Sequence, residues 1–162
     1  MAKKQNGFSL IELLIVVAII LIIAAIAIPN YWKARMSANE SAAANALRTI
    51  ASAEMTYVSS YPQAGFADLT ALSGASPCTP SVTSACLIDN NLATATATPG
   101  KSGYIYSMAV IPGDYVAAAR PVAPSVSGTR TFCATADGVI RTRSTGGVVG
   151  SVPACLALPG ME

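Results

Sequence analysis

The chain contains no histidine. That absence excludes histidine metal sites, histidine-dependent catalytic triads and the commonest general base at neutral pH. Charge is scarce too, at 11% of residues, against about 25% in an average soluble domain. No nucleophile elbow, phosphate-binding glycine loop or C-x-x-C pair occurs along the chain, so nothing in it points to catalysis. Net charge is only +2. Lys3 and Lys4 account for it, because the remaining residues hold eight basic against eight acidic side chains. A strongly basic nucleic-acid binder is therefore not expected.

What is present is apolar. Of 162 residues, 52% are hydrophobic, which excludes a disordered chain, and the length suits one domain. The excess is concentrated in Phe8–Ile28, FSLIELLIVVAIILIIAAIAI, whose 21 residues carry one charge, Glu12, and one hydroxyl, Ser9. As a helix this run spans roughly 31 Å, the thickness of a bilayer's hydrocarbon core. The basic pair Lys3 and Lys4 before it places the N-terminus in the cytoplasm and the bulk of the chain outside. A secretory signal would be followed by a small-residue cleavage site. Here the apolar run is followed by Pro29-Asn30-Tyr31, and the small residue, Gly7, stands before it. A cut after Gly7 would leave the apolar run on the mature protein. Glu12 is costly there, since a carboxylate within a membrane helix is penalised by roughly 2.5–3.5 kcal/mol. If Phe8 becomes a new N-terminus, its amine lies at about the depth of Glu12 on a neighbouring helix. Mutual neutralisation would favour lateral assembly.

The block Gly7-Phe8-Ser9-Leu10-Ile11-Glu12, between basic residues and a long apolar helix, resembles the N-terminus of type IV prepilins. The resemblance covers Lys3–Tyr31. It implies prepilin-peptidase cleavage between Gly7 and Phe8, N-methylation of Phe8, Glu12 as the assembly glutamate, and Pro29 as the site of a helix kink. Type II secretion pseudopilins share this N-terminus, so the resemblance alone leaves the machine open.

Beyond Pro29, the stretch 30–60 has neither glycine nor proline. Ala43, Leu47, Ile50, Tyr57 and Tyr61 recur at intervals of three, four or seven, which predicts an amphipathic helix with one buried stripe. Glu54 falls on that stripe, as an edge residue or as the partner of an arginine. Pro62 ends the helix. Residues 62–103 read as a surface connector with helical turns over Ala67–Leu72 and Leu87–Leu92. Residues 104–143 read as an antiparallel meander: Tyr104–Val110, Tyr115–Ala119, Thr129–Thr135 and Val139–Arg143, with turns at Pro112-Gly113-Asp114 and Asp137-Gly138. The expected organisation is a leader (1–7), a membrane or filament-core helix (8–28), an amphipathic continuation (29–61), a connector (62–103), a sheet (104–143) and a C-terminal tail (144–162). The fold class is α+β, with a long helix packed on a small antiparallel sheet. That order resembles a pilin head, and Gly128–Arg143, GTRTFCATADGVIRTR, is similar to the last hairpin of bacterial pilins and major pseudopilins.

Four cysteines, Cys78, Cys86, Cys133 and Cys155, lie on the side expected outside the cytoplasm, which favours disulfides over a metal site. Three connectivities exist. The preferred one pairs Cys78 with Cys86, closing a small Pro/Ser/Thr loop, and Cys133 with Cys155, tying the tail to the third strand. The second bridge resembles the C-terminal disulfide loop of many pilins. Arg120, Arg130, Arg141 and Arg143 form the densest basic set. A solvated face is the stronger reading than DNA capture, because the mature charge is neutral and aromatics do not interleave. Tyr31, Trp32, Tyr57 and Tyr61 are read as a membrane-interface belt and a core stripe in preference to an electron-transfer track.

The resemblance implies a structural subunit of a type IV pilus, without cofactor or metal. Its implied partners are other copies of itself, prepilin peptidase, an inner-membrane assembly platform and minor pilins. The precursor would lie in the inner membrane and the product in an extracellular pilus. The alternative is a type II secretion pseudopilin. Against it, the tail 144–162 holds one acid, Glu162, too few for the acidic calcium loop of major pseudopilins. A third reading is a membrane-anchored binding module that never assembles; Glu12, unpaired in lipid, argues against it.

Overall fold

A computed structural model describes residues 8–161. The expected leader, residues 1–7, and Glu162 lie outside that range. The chain divides into two units between Arg35 and Met36, each treated separately below. One helix, α1 (Leu10–Ser60), contributes to both and carries Pro29 inside it.

In the C-terminal unit, α1 supplies the expected stripe: Ala43, Leu47, Ile50 and Tyr57 are buried, together with Glu40 and Glu54. Ser60 is the last helical residue, two positions before Pro62. The sheet is a meander of β1 (Tyr104–Ile111), β2 (Asp114–Pro121), β3 (Thr131–Thr135) and β4 (Arg141–Arg143), antiparallel throughout and in the spatial order of the sequence. Ile111 pairs with Asp114, so Pro112-Gly113 forms a two-residue turn. Gly113 takes φ +80°, the value a type II turn requires after its proline, which a side chain would oppose.

Alternation along the strands sorts the side chains onto two faces. Tyr104, Tyr106, Tyr115, Ala117, Ala119, Phe132 and Ala134 join the α1 stripe in the main core. Val116, Ala118 and Cys133 point the other way and pack with Val149, Val152, Cys155 and Leu158 of the tail. The tail is thus a third layer, built on a short helix, α4 (Val152–Leu156), that the sequence reading did not anticipate. β2 and β3 are covered on both faces, not one, while most of the second half of β1 is exposed.

The connector differs most from expectation. Its short helices are α2 (Leu69–Leu72) and α3 (Asn90–Ala93), each started by an aspartate. Asp68 accepts the Ala71 N–H at 2.7 Å and Asp89 accepts the Leu92 N–H at 2.8 Å, which satisfies donors a helix start leaves free. The connector is a surface region only in part: 75–83 and 96–99 are exposed, but Ala67, Leu69, Leu72, Ala85, Ile88, Leu92, Ala93 and Ala95 are buried in the main core. Burial is tolerated because its backbone is paired: Ala85 N–H donates to Ala71 C=O, Leu87 N–H to Leu72 C=O, and Tyr106 N–H of β1 to Ala95 C=O. Such pairing removes the usual penalty of a buried loop.

Candidate functional site

The N-terminal unit is a helix surface with no cover of its own. From Phe8 to Ile28 every residue except the half-buried Ala24 is exposed. Leu10, Leu14, Leu21 and Ile22 each show more than 60% of their surface. This stretch is long and apolar enough to cross a membrane. An uninterrupted apolar surface of this size is unfavourable in water and must be buried in lipid or against other chains.

The carboxylate within it has a partner in its own chain. Glu12 accepts a hydrogen bond from the Ser9 backbone N–H at 2.8 Å. Ser9 precedes the first helical residue, so Ser9-Leu10-Ile11-Glu12 has the S-x-x-E spacing of a capping box, and the observed bond is its glutamate half. The sequence reading treated Glu12 as wholly unsatisfied and missed this, although the spacing alone was the signal. One carboxylate oxygen is engaged and a negative charge remains, placed where the helix dipole favours it. Among the other site residues, Phe8 is fully exposed and Gly7 lies outside the described residues. Tyr31 and Trp32 are exposed and meet edge to face, with Arg35 over the indole.

In the other unit, Glu40 does work that the sequence did not reveal. Its carboxylate is nearly buried on α1 and receives Thr129 N–H at 2.8 Å, Thr129 Oγ1–H at 2.9 Å, Arg130 N–H at 3.2 Å and Arg130 Nε–H at 2.7 Å. Asn39 adds a bond to the Ser127 carbonyl at 2.9 Å. Burial alone would raise the Glu40 pKa, but the bonds from Thr129 and Arg130 outweigh it and hold the carboxyl below its ordinary range. The loop between β2 and β3 is thereby fastened to the helix. Gly128 is needed there, because a Cβ would run into the Tyr104 ring, whose hydroxyl donates to Arg130 C=O. Arg130 is therefore a structural partner, and Arg141 pairs with Asp137. Arg120 and Arg143 stay exposed. Tyr57 and Tyr61 pack against each other at 5.0 Å in the head.

The cysteines form two bridges, Cys78–Cys86 and Cys133–Cys155, with Cα separations of 6.1 and 6.0 Å. The first closes an exposed loop whose Val82 carbonyl accepts the Tyr57 hydroxyl. The second joins β3 to α4 within the outer layer. Among the described residues no group of three acidic, cysteine or histidine side chains is arranged to hold a metal.

Comparison with known proteins points to the N-terminal segment. Residues 2–28 match the family described as the prokaryotic N-terminal methylation motif. The chain is similar to the type IV major pilin protein PilA of Myxococcus xanthus, with 46% identity over 56 residues, 35% of this chain and 26% of that protein. It is also similar to the type IV wide pilus major component PilA4 of Thermus thermophilus, with 56% identity over 39 residues, 24% of this chain and 30% of that protein. The matched stretches thus span less than a third of either relative's length. No solved structure matches the chain.

Proposed function

We propose that this protein is a structural subunit of a type IV pilus, and not an enzyme. The observation that carries the proposal is a methylation motif over residues 2–28 that continues into an apolar helix with no cover of its own. Prepilin peptidase cleaves between Gly7 and Phe8, and Phe8 is then N-methylated. Until assembly the helix stays in the inner membrane, its apolar side chains facing lipid and its head outside. An assembly platform then transfers it into a filament, where helices of other copies, and of minor pilins, replace the lipid. Two kinds of apolar surrounding are exchanged, so little hydrophobic free energy changes hands, and packing and polar pairing steer the transfer.

Glu12 supplies the steering. Its carboxylate is partly satisfied by Ser9 N–H, and its remaining charge is matched by the Phe8 amine that cleavage creates on an adjacent copy. In low dielectric the attraction is strong, and desolvation offsets part of it, so the pair's main effect is on register. Support comes from the two relatives, both named as major pilus components. Mass analysis of the mature N-terminus tests the reading: a chain starting at methylated Phe8 is expected. A mature protein that has lost the Phe8–Ile28 segment overturns it. In the Gly7→Val variant, full-length precursor is expected to accumulate in the membrane.

A further inference from the structure

Glu54 is buried in the head with none of its surface exposed. Its carboxyl oxygens accept one donor, the Ala67 backbone N–H, at 3.1 and 3.3 Å. No lysine or arginine among the described residues forms an ion pair with it. The groups that face it are acids and phenols: Asp68 from the connector, Tyr57 from its own helix and Tyr115 from β2. The Tyr115 hydroxyl is itself buried without a hydrogen-bond partner, and the Tyr115 ring packs at 5.0 Å against Phe66, the residue before Ala67. This is the opposite of Glu40, which has an arginine and three further donors. A buried carboxylate with a single amide donor and an acid for a neighbour is penalised when ionised and tolerated when protonated.

We propose that Glu54 is a proton-operated latch that holds the start of the connector against α1 when neutral and loosens it when ionised. The segment it controls is well defined. Ala67 precedes Asp68, the cap of α2, and the α2 carbonyls of Ala71 and Leu72 in turn receive the N–H groups of Ala85 and Leu87, next to the Cys78–Cys86 loop. The turn before Ala67 contributes Tyr61, Pro62, Gln63 and Ala64, which with Val82 line an exposed, mostly apolar groove. Ionisation places negative charge in the core near the buried Tyr57 and within the field of Asp68, which is itself exposed. The energy is recovered by letting water reach the carboxylate, which requires the 61–68 turn to lift and to carry the four lining residues it contributes to that groove with it. Burial outweighs the Ala67 hydrogen bond, which favours the ionised form, and with a smaller push from Asp68 brings the Glu54 carboxyl up to about 7, so the transition is expected at ordinary external pH. The latch rests on the head's own geometry and holds whether or not the chain forms filaments.

The test uses the full chain in detergent micelles. Amide exchange is followed at pH 5.5 and pH 8, each rate divided by the intrinsic rate at that pH. Protection of Ala67 and of the α2 amides is expected to fall by about tenfold or more at the higher pH. In Glu54→Gln, which keeps an acceptor for Ala67 N–H and cannot ionise, protection is expected to be the same at both. Equal protection at both pH values in the wild type, or the same fall in the variant, overturns the latch. If the variant does not fold, carboxyl NMR titration of the wild type decides. A Glu54 midpoint near 7 supports the latch, and one in the ordinary glutamate range overturns it.

Discussion

Three glutamates on one helix have three fates, and the donors around each explain them. Glu12 sits at the helix start with one backbone N–H and an unspent charge. Two substitutions separate these features. Glu12→Ala removes both, and Glu12→Gln keeps an oxygen for Ser9 N–H while deleting the charge. Both are expected to insert and be processed normally, because either residue suits lipid better than a carboxylate. If charge pairing drives assembly, sheared fibres drop sharply in both; normal fibres from Glu12→Gln would assign the role to the cap. Glu40, with four donors from Thr129 and Arg130, behaves differently. Glu40→Ala leaves two backbone N–H groups and a guanidinium without their acceptor and is expected to cost about 3 kcal/mol. Urea denaturation of the variant measures it.

Among the elements, the tail depends most on a covalent tie. The short helix α4 has no side-chain cap bond and is held by the small apolar cluster around Cys133 and Cys155, while the chain on either side of it is hydrogen-bonded to the sheet, Gly147 N–H to Thr131 Oγ1 and Thr142 N–H to Pro159 C=O. Replacing both cysteines by serine buries two hydroxyls and frees the tail. A loss of roughly 2–5 kcal/mol is expected, with proteolytic nicking confined to the 144–161 region. Uniform loss of structure would show that the bridge supports the whole head. The α1 stripe needs no such tie, because Leu47 and Ile50 are buried in a core shared with the sheet and the connector.

For the molecule as a whole, the two buried glutamates give stability an opposed pH dependence. The Glu40 pKa is lowered on folding, so its contribution is complete above the ordinary glutamate value and is lost as pH falls through the lowered one. Asp137, held down to about 2 mainly by Arg141, acts in the same direction. Glu54 is raised from 4.5 to about 7. Its folded form binds the extra proton, so stability declines as pH rises across that interval and is flat above it. The decline is about 3 kcal/mol. Denaturation midpoints between pH 3 and 8 are expected to peak near the lower end of the Glu54 interval. In Glu54→Gln the alkaline fall should vanish while the acid fall stays.

How much of this was legible beforehand follows the range of the forces involved. Local rules determined the apolar run Phe8–Ile28, the buried stripe on α1 and the order of four strands, since each shows in period, charge or turn residues over a few positions. β1 and β2 run one to two residues further than expected because their pairing continues from Tyr104–Pro121 to Ile111–Asp114, and β3 and β4 each begin two residues later. The S-x-x-E cap was also local and could have been read. The rest was decided in three dimensions. Ala85, Ala93 and Ala95 carry little periodic signal, and only the pairing of their segment with α2 and β1 made them core. The tail became a third layer because the sheet's outer face also carries apolar residues, Val116 and Ala118, that had to be covered. Glu40 and Glu54 lie fourteen positions apart on the same helix and look alike in sequence. What separates them is which chain segment folds back over each: the Thr129–Arg130 loop brings donors and a cation to one, and the Ala67–Asp68 turn brings a single amide and another acid to the other.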